Sequence, residues 1–399
     1  MIRFLAILPI LLLLSACGAA VKYGPIRHSE LSAGAGCNPT STVAGAIAGK
    51  DYFIITSRLP DCRGGEVRLT NHRSDAVRFA RFAPPQKQML SKGNVKIVVP
   101  TAFQPEADWW LGLRDAANLR QGRVLLYVHG FREDIDSSSK DAVQIGAMTG
   151  FDGPIIQYSW PSQGRLLSYA VDETNMYWDE RNFRKFLQKL ATQPWVKEIV
   201  IVSHSMGARL VIPAVEFVDR NSSHADSSNI SNMILASPDV DRQDFERDII
   251  EEVLSTRRVN NDRRITIYAS AKDKALGLSR SIHGYPRLGS PFCFDPNEAA
   301  ELKAAGLPIR CFANKGRYTQ QPSKSGLTII DTTEVSSGTS GHSDYLRSPA
   351  ACRDFIATIK GQRDGVTGRE ATHLPHVFSL KVEAKKPKGE VDPVCMLVN

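Results

Sequence analysis

The sequence of 399 residues predicts an α/β protein with a mostly parallel central sheet and helices on both of its faces. Short apolar runs alternate with longer amphipathic segments along most of the chain, a pattern typical of successive βαβ units. Several of the apolar runs are almost uninterrupted, as expected for strands that are covered on both faces. Apolar residues make up 42% of the chain and charged residues 23%, which is typical of a globular protein and excludes a disordered or fibrous one.

The predicted strands lie at residues 53–57, 95–100, 124–128, 155–158, 198–202, 232–236, 265–269 and 327–330. Helices are predicted near 138–149, 174–192, 206–219, 242–256, 275–282 and 344–360. The stretch between the first two strands is predicted to be irregular. Residues 284–325, which contain Gly, Pro and two cysteines, are predicted to form an insertion in the domain.

The N-terminus has the features of a secretory signal: Arg3, an apolar stretch at 4–14 and small residues before Cys17. Residues 14–17 read Leu-Ser-Ala-Cys and resemble the lipobox of bacterial lipoproteins. That resemblance implies cleavage before Cys17 and lipid attachment to its sulfur and new amino group. Gly18, which is not aspartate, favours the outer membrane, facing the periplasm. We therefore expect a signal peptide at 1–16, a tether at 17–50, one globular domain at 51–360 and a surface tail at 361–399.

The net charge of +8 comes from scattered basic residues, with one modest cluster at 385–388. Two interpretations of this charge remain open: a basic surface that is simply solvated, and one that is attracted to anionic lipid headgroups. No nucleic-acid-binding motif is present, so we expect no nucleic-acid partner. The sequence does not predict the oligomeric state.

The chain has seven cysteines, and lipidation of Cys17 would leave an even set of six. An even set in an oxidising periplasm is expected to form disulfides. We predict the pairs Cys37–Cys62 and Cys293–Cys311, because each encloses a short, loop-rich segment. No metal-binding spacing is present, and we expect neither a metal nor a cofactor.

The run with the clearest chemical meaning is Ser-His-Ser-Met-Gly at 203–207, between a predicted strand and a helix-like segment. A serine at a sharp strand-to-helix turn is a nucleophile elbow, written G-x-S-x-G. Ser205 is the predicted nucleophile, and Gly207 matches the second glycine. Ser203 replaces the first glycine, and a buried strand followed by an ordinary polar turn is the competing interpretation.

The general base of such a site follows the serine and an acid in the chain. His342 follows the last predicted strand through a loop and precedes the last helix, which is the position expected for this base. The other late histidines fit less well: His224 precedes the last strands, His283 ends a short helix, and His373 and His376 belong to the tail. The alternative for His342 is a solvent-facing loop histidine.

Two aspartates compete for the acid that orients the base. Asp273 follows the penultimate strand and is favoured, while Asp239 follows the strand before it and is the alternative. A third, Asp241, is expected to cap the next helix.

The oxyanion of ester cleavage needs two preorganised backbone donors. The N–H of Met206, directly after the nucleophile, is one predicted donor. The second is the N–H of Phe131, in the turn after the strand at 124–128, where Gly130 permits close approach of the backbone. His129 is then structural.

These residues resemble a bacterial family of esterase/lipase-like alpha/beta hydrolases known as domain of unknown function 900. The matching motifs are Val-His-Gly-Phe at 128–131, Ser-Trp-Pro-Ser at 159–162 with Gly164, Tyr169 with Asp172, His-Ser-Met-Gly at 204–207, Ala-Ser-Pro-Asp-Val-Asp at 236–241, Tyr-Ala-Ser at 268–270 with Asp273, and Gly-His-Ser at 341–343. They cover roughly residues 50–360 in order. The resemblance implies an alpha/beta-hydrolase fold and serine hydrolase activity, but no defined substrate.

The resulting functional hypothesis is a serine carboxylic-ester hydrolase, similar to an esterase or lipase, that is lipid-anchored in the cell envelope. Its expected partners are a small-molecule or lipid ester substrate and the membrane. Acyl transfer and peptide cleavage would use the same Ser–Asp–His triad. A non-catalytic envelope module on a hydrolase fold is the alternative of a different class, favoured only by Ser203.

Overall fold

The computed structural model describes residues 52–61, 68–82, 103–221, 229–249, 263–313, 326–336, 340–362, 365–382 and 395. The predicted signal peptide, tether and strand at 95–100 lie outside these residues, as does the predicted Cys37–Cys62 pair. Within the described ranges, none of the helices combines the length and apolar character needed to span a bilayer.

The described residues form one ten-stranded sheet in the order β2-β1-β4-β3-β5-β6-β7-β8-β10-β9. The strands are β1 Tyr52–Asp61, β2 Arg68–Phe82, β3 Arg123–Val128, β4 Ile155–Ser159, β5 Glu198–His204, β6 Ile230–Ala236, β7 Arg264–Ala269, β8 Leu327–Asp331, β9 Arg369–Ala371 and β10 Val377–Leu380. In the sheet, every pair of neighbours between β1 and β10 is parallel, which covers the run β1-β4-β3-β5-β6-β7-β8-β10. Only the edge pairs, β1 with β2 and β10 with β9, are antiparallel.

Helices cover both faces of the sheet, as predicted. They are α1 Glu106–Asn118, α2 Ile135–Thr149, α3 Tyr169–Ala191, α4 Ala208–Asn221, α5 Lys274–His283, α6 Pro296–Ala304, α7 Asp344–Arg347 and α8 Pro349–Ile359. Alternate residues of β3 enter two separate apolar clusters because successive strand side chains point to opposite faces. Leu126 belongs to the cluster shared with α1, α3 and α4, and Leu125 belongs to that shared with α2 and α8.

Three segments differ from the sequence-based expectation. The stretch predicted to be irregular after β1 contains β2, which pairs along the antiparallel edge. The predicted helix at 242–256 is a short helical segment, Arg242–Asp244, continued to Ile249, and residues 250–262 are outside the description. The tail predicted from 361 onward contributes β9 and β10 to the sheet, because β10 pairs in parallel with β8.

The insertion predicted at 284–325 is described up to residue 313 and contains α6. The predicted disulfide Cys293–Cys311 within it is confirmed. A second disulfide, Cys352–Cys395, links Cys395 covalently to α8.

Candidate active site

Ser205 directly follows β5 and has a left-handed backbone conformation, with φ of 52°. Four non-glycine residues in the described ranges have a positive φ. Three of them lie just beyond the carboxyl ends of β3, β5 and β6, namely Arg132, Ser205 and Ser237. Such strain clusters at functional sites because the surrounding structure must hold it in place. The predicted nucleophile therefore occupies the kind of turn that a nucleophile elbow requires.

Gly207 satisfies a steric requirement of this turn. A Cβ atom at this position would lie 2.5 Å from the His129 carbonyl oxygen and 2.8 Å from that of Val128. Both obstacles are backbone atoms at the end of β3, so they cannot rotate away. Any side chain at residue 207 would push the elbow away from β3.

Ser203 shows how the departure from the first elbow glycine is accommodated. It is fully buried in β5 and pairs in register with Val128 on one side and Leu235 on the other. Its hydroxyl has no hydrogen-bond partner among the described residues. A serine side chain therefore fits at this position, although its hydroxyl group remains unsatisfied.

The structure brings His342 and Asp273 together. His342 Nδ1 lies 2.7 Å from Asp273 Oδ2. The other carboxylate oxygen, Oδ1, accepts the Leu276 N–H at 2.9 Å and thereby caps α5. The Asp273 side chain is fully buried, whereas that of His342 remains 14% exposed. Asp273 is thus immobilised on one side by the helix terminus and presents its other oxygen to the imidazole.

Backbone contacts hold the histidine loop against the aspartate loop. The Lys274 N–H donates to the Ser340 carbonyl at 2.9 Å. Gly341 adopts a φ of 68°, and a Cβ atom there would lie 2.9 Å from the Lys272 carbonyl oxygen. The loop before His342 therefore needs a glycine, both for its backbone conformation and for its close approach to the loop after β7.

The same loops also contact the elbow. His204, directly before Ser205, has its ring centroid 4.8 Å from that of His342. Its Nε2 lies 3.1 Å from the His342 carbonyl oxygen. The Ser205 carbonyl accepts the Asp239 N–H at 3.1 Å, which ties the loop after β6 to the turn. The elements carrying Ser205, Asp273 and His342 thus converge at the carboxyl edge of the sheet.

Electrostatics around His342 favour its charged form. Burial lowers the pKa of His342, but the negative charge of Asp273 and the hydrogen bond to it outweigh burial, so that the pKa is raised above the usual 6.5. Asp239 and Glu133 add to the raising effect. The imidazole is therefore well suited to become an imidazolium when it receives a proton.

We expect kcat/KM for ester hydrolysis to fall as the pH is lowered through the pKa of His342, which lies above 6.5. A general base works only when it is unprotonated, so the active fraction is lost below that pKa. The measurement is a pH profile of kcat/KM with a soluble ester. An Asp273→Asn variant removes the charge that raises the pKa, so the profile of its residual activity should shift to lower pH. An unshifted profile would contradict this assignment.

Asp239, the alternative acid, is engaged elsewhere. Its carboxylate receives hydrogen bonds from Arg287 at 2.7 Å, Arg209 at 3.0 Å, Tyr169 at 2.5 Å and Ser279 at 2.6 Å. Burial alone would raise the pKa of Asp239, but the two arginines lower it to about 2. Asp239 therefore acts in this structure as the anionic centre of a buried ion-pair network, and the imidazole of His342 contacts Asp273 instead.

The turn carrying the predicted oxyanion donor Phe131 packs directly on the elbow. A Cβ atom at Gly130 would lie 2.8 Å from the Ser205 Cβ and 2.9 Å from the His204 carbonyl oxygen. The N–H groups on either side of Phe131 are held by carboxylates: Gly130 N–H donates to Glu133 at 3.2 Å, and Arg132 N–H donates to Asp172 at 3.1 Å. These bonds hold the two peptide groups that flank the one carrying the Phe131 N–H. Met206, the other predicted donor, is buried in the turn.

Trp160 packs against the residue that begins this turn, His129. It is fully buried, and its ring stacks on that of His129 with centroids 4.9 Å apart. Its indole N–H donates to the His129 carbonyl at 2.8 Å. Burial lowers the pKa of His129 to about 4, so this histidine is neutral. Both residues therefore have positions suited to a structural role.

Glu133 and His204 form a buried pair that sequence reasoning missed. His204 Nδ1 lies 2.8 Å from Glu133 Oε1, and Glu133 also accepts from Gly130 N–H and from the Tyr127 hydroxyl. Burial acts to raise the pKa of Glu133, but the hydrogen bond and charge of His204 lower it overall. The other ring nitrogen of His204, Nε2, lies 3.1 Å from the His342 carbonyl oxygen. His204 thereby links the turn that contains Phe131 and Glu133 to the loop that carries His342.

Asp141 completes a cluster with this pair. One donor atom from each of Glu133, Asp141 and His204 lies within 4.8 Å of the others, a spacing at which a metal ion could be held. Both nitrogens of His204 already make hydrogen bonds, so a metal ion would have to break one of them. Burial and the charge of Glu133 raise the pKa of Asp141 to about 7. The cluster is already joined by hydrogen bonds that involve the Tyr127 hydroxyl and His204.

The chain matches the family described as Alpha/beta hydrolase of unknown function (DUF900) over residues 110–363. No curated protein matches it.

Two solved enzymes show a distant likeness. A Trichoderma reesei cutinase in complex with a phosphonate inhibitor is 15% identical, with 32% of this chain and 61% of the cutinase covered and a TM-score of 0.20. A thermophilic esterase from Thermogutta terrifontis with bound propionate is 15% identical, with 61% of this chain and 82% of the esterase covered and a TM-score of 0.27. These scores are too low to support a functional argument. The family match, in contrast, spans more than half of the chain and agrees with the parallel sheet and its flanking helices, and the protein therefore belongs to the alpha/beta hydrolases of the DUF900 family.

Proposed function

We propose that the protein is a serine hydrolase of carboxylic esters, with Ser205 as nucleophile, His342 as general base and Asp273 as the orienting acid. The observation that carries the proposal is the 2.7 Å contact between His342 Nδ1 and Asp273 Oδ2, in a loop that also contacts the residue preceding Ser205. The strained turn at Ser205 supports it, because such strain persists only where the surroundings maintain it.

The reaction follows from these positions. Ser205 Oγ attacks the ester carbonyl carbon while its proton passes to His342 Nε2, and Asp273 stabilises the resulting imidazolium. The negative oxygen of the tetrahedral intermediate is bound by the N–H groups of Met206 and Phe131. The bond to the alcohol then breaks, and the alcohol leaves with the proton from His342. Water attacks the acyl-enzyme by the same route and releases the acid and free Ser205.

Hydrolysis of p-nitrophenyl esters of graded chain length tests this proposal directly. The wild-type chain is expected to release p-nitrophenol, and Ser205→Ala should lose at least about 10³-fold in kcat/KM, since the nucleophile is removed. Ser203→Ala is a matched control, because it removes a buried hydroxyl two residues away that has no partner among the described residues. Folded wild-type protein without activity towards any ester would instead support a non-catalytic module.

We further propose that the enzyme is anchored to the outer membrane by a lipid on Cys17. The lipobox-like sequence at 14–17 supports this, and the disulfides Cys293–Cys311 and Cys352–Cys395 fit an oxidising compartment.

Cys17→Ser is expected to abolish incorporation of labelled palmitate into the protein in a bacterial host and to release the protein from the membrane fraction. The reason is that the lipid would be attached through this sulfur. Labelling that persists in Cys17→Ser would contradict the anchor.

A further inference from the structure

Exposed apolar side chains are concentrated near the candidate active site. Seven of the twelve exposed large apolar residues in the described ranges lie in two stretches that follow β4 and β7, and we refer to these seven as the apolar rim. They are Leu166, Leu167, Leu278, Ile282, Tyr285, Phe292 and Phe294. Their exposed fractions range from 40% to 84%. A concentration of exposed apolar side chains is unusual on a protein surface and points to an interaction site.

Tyr169 connects the two stretches of the rim to the oxyanion turn. Its ring centroid lies 5.2 Å from that of Phe131. Its hydroxyl lies 3.0 Å from Ser279 Oγ, and its ring lies 5.8 Å from that of His283 on the same helix, α5. The leucines just before Tyr169 are thus close to α5, the helix that Asp273 caps. The rim therefore borders the candidate active site.

The rim forms an organised surface within its second stretch. On α5, Leu276 and Ser279 are buried, while Leu278 and Ile282, four residues apart, are exposed on the same face. The rings of Tyr285 and Phe294 stack with centroids 5.8 Å apart.

The charges interleaved with the rim are mostly basic. Across residues 165–169 and 271–295 four of the five charged residues that reach solvent are basic, namely Arg165, Lys272, Lys274 and Arg280, and the fifth is Asp295, whereas Asp273 and Arg287 are buried. Arg280 lies over the Phe292 ring, 3.6 Å from its centroid. The carboxylate of Glu173 on α3 is already paired with Arg209 and His283. Apolar side chains among predominantly basic ones complement an anionic lipid surface: the lipid takes up the apolar groups, and its negative charge attracts the basic groups.

We propose that the apolar rim docks on an anionic phospholipid bilayer and presents Ser205 to acyl esters that reside in the membrane. The substrate class rests on the proposed esterase function, whereas the docking does not. Docking would place the entrance of the site at the lipid surface, so a long acyl chain need not cross water to reach the nucleophile.

Co-sedimentation of the full chain with phosphatidylglycerol vesicles tests the docking. Leu167→Glu and Leu278→Glu are each expected to lower vesicle partitioning roughly tenfold, because each replaces an inserted apolar group by a charge that the lipid repels. Leu119→Glu is the matched control: Leu119 is 79% exposed, like Leu167 at 84%, but it follows α1 at the amino end of β3. All proteins also carry Cys17→Ser, so that the proposed lipid anchor cannot hold them on the vesicles irrespective of the rim.

Three results would overturn the proposal: rim variants that bind these vesicles as well as Leu119→Glu does, equal binding of the wild type to phosphatidylcholine vesicles, or rim variants that disrupt a dimer while keeping vesicle binding. Turnover of soluble p-nitrophenyl acetate by the same samples separates the two proposals. Rim variants that lose vesicle binding support docking even if no sample hydrolyses any ester, in which case the esterase proposal alone fails. If the wild type hydrolyses the ester and both rim variants still bind vesicles normally, the docking proposal fails and the esterase proposal stands.

Discussion

Asp273→Asn is expected to lower kcat/KM for ester hydrolysis by about 10³- to 10⁴-fold while the protein remains folded. Asparagine keeps an oxygen that can accept the Leu276 N–H, so the cap of α5 is preserved. It removes the negative charge that faces His342 Nδ1 at 2.7 Å. The imidazolium formed during acyl transfer then loses its partner, and the amide group favours the wrong tautomer of the neutral ring.

Steady-state kinetics with a soluble p-nitrophenyl ester measure this effect, and urea unfolding verifies that the variant has kept its stability. A variant that retains more than about a tenth of wild-type kcat/KM would show that Asp273 is not the orienting acid, since that role is worth several kcal/mol at the transition state.

Asp239→Asn is expected to act mainly on stability. The change removes the charge that neutralises Arg209 and Arg287 in a buried network. Removing one partner of a buried ion pair costs about 3–5 kcal/mol. Here Arg287 would stay buried without this carboxylate, whereas Arg209 would keep Glu173. The measurement is the free energy of unfolding in urea, together with kcat/KM per folded molecule under conditions in which the variant is native.

A surface ion pair supplies the control for this substitution. Asp115 on α1 pairs with Arg114, and both side chains are about half exposed. Asp115→Asn is expected to change the free energy of unfolding by less than about 1 kcal/mol. If Asp239→Asn instead abolished activity at unchanged stability, while Asp273→Asn remained active, the two aspartates would have to exchange roles.

The central strands were predictable because burial on both faces leaves a nearly continuous apolar run. β3 to β8 all contain the predicted segments. β2 was missed because it is an edge strand in which arginines and polar residues interrupt the pattern. The helix α1 was also missed, although Trp109, Leu113 and Ala117 recur every four residues on its buried face. β9 and β10 have only three and four residues, too few for a periodic signal.

The candidate site was predictable in part, because a serine, an acid and a histidine follow successive predicted strands in the chain order that a serine hydrolase site requires. The sequence favoured Asp273 as the acid but left Asp239 open, since both follow strands. What distinguishes them is a pair of arginines, Arg209 and Arg287, that no motif marks and that converge on Asp239 only in three dimensions. The Glu133–His204 contact joins residues 71 positions apart, and such a pairing leaves no trace in a single sequence.

Mass-spectrometric mapping of a fluorophosphonate adduct tests the central claim most directly, because the probe reacts with an activated serine irrespective of the natural substrate. The expected result is one adduct, on the peptide that contains Ser205, which is lost in Ser205→Ala and kept in Ser203→Ala. An adduct at another residue, or no adduct on folded wild-type protein, would contradict the claim that Asp273 and His342 activate Ser205.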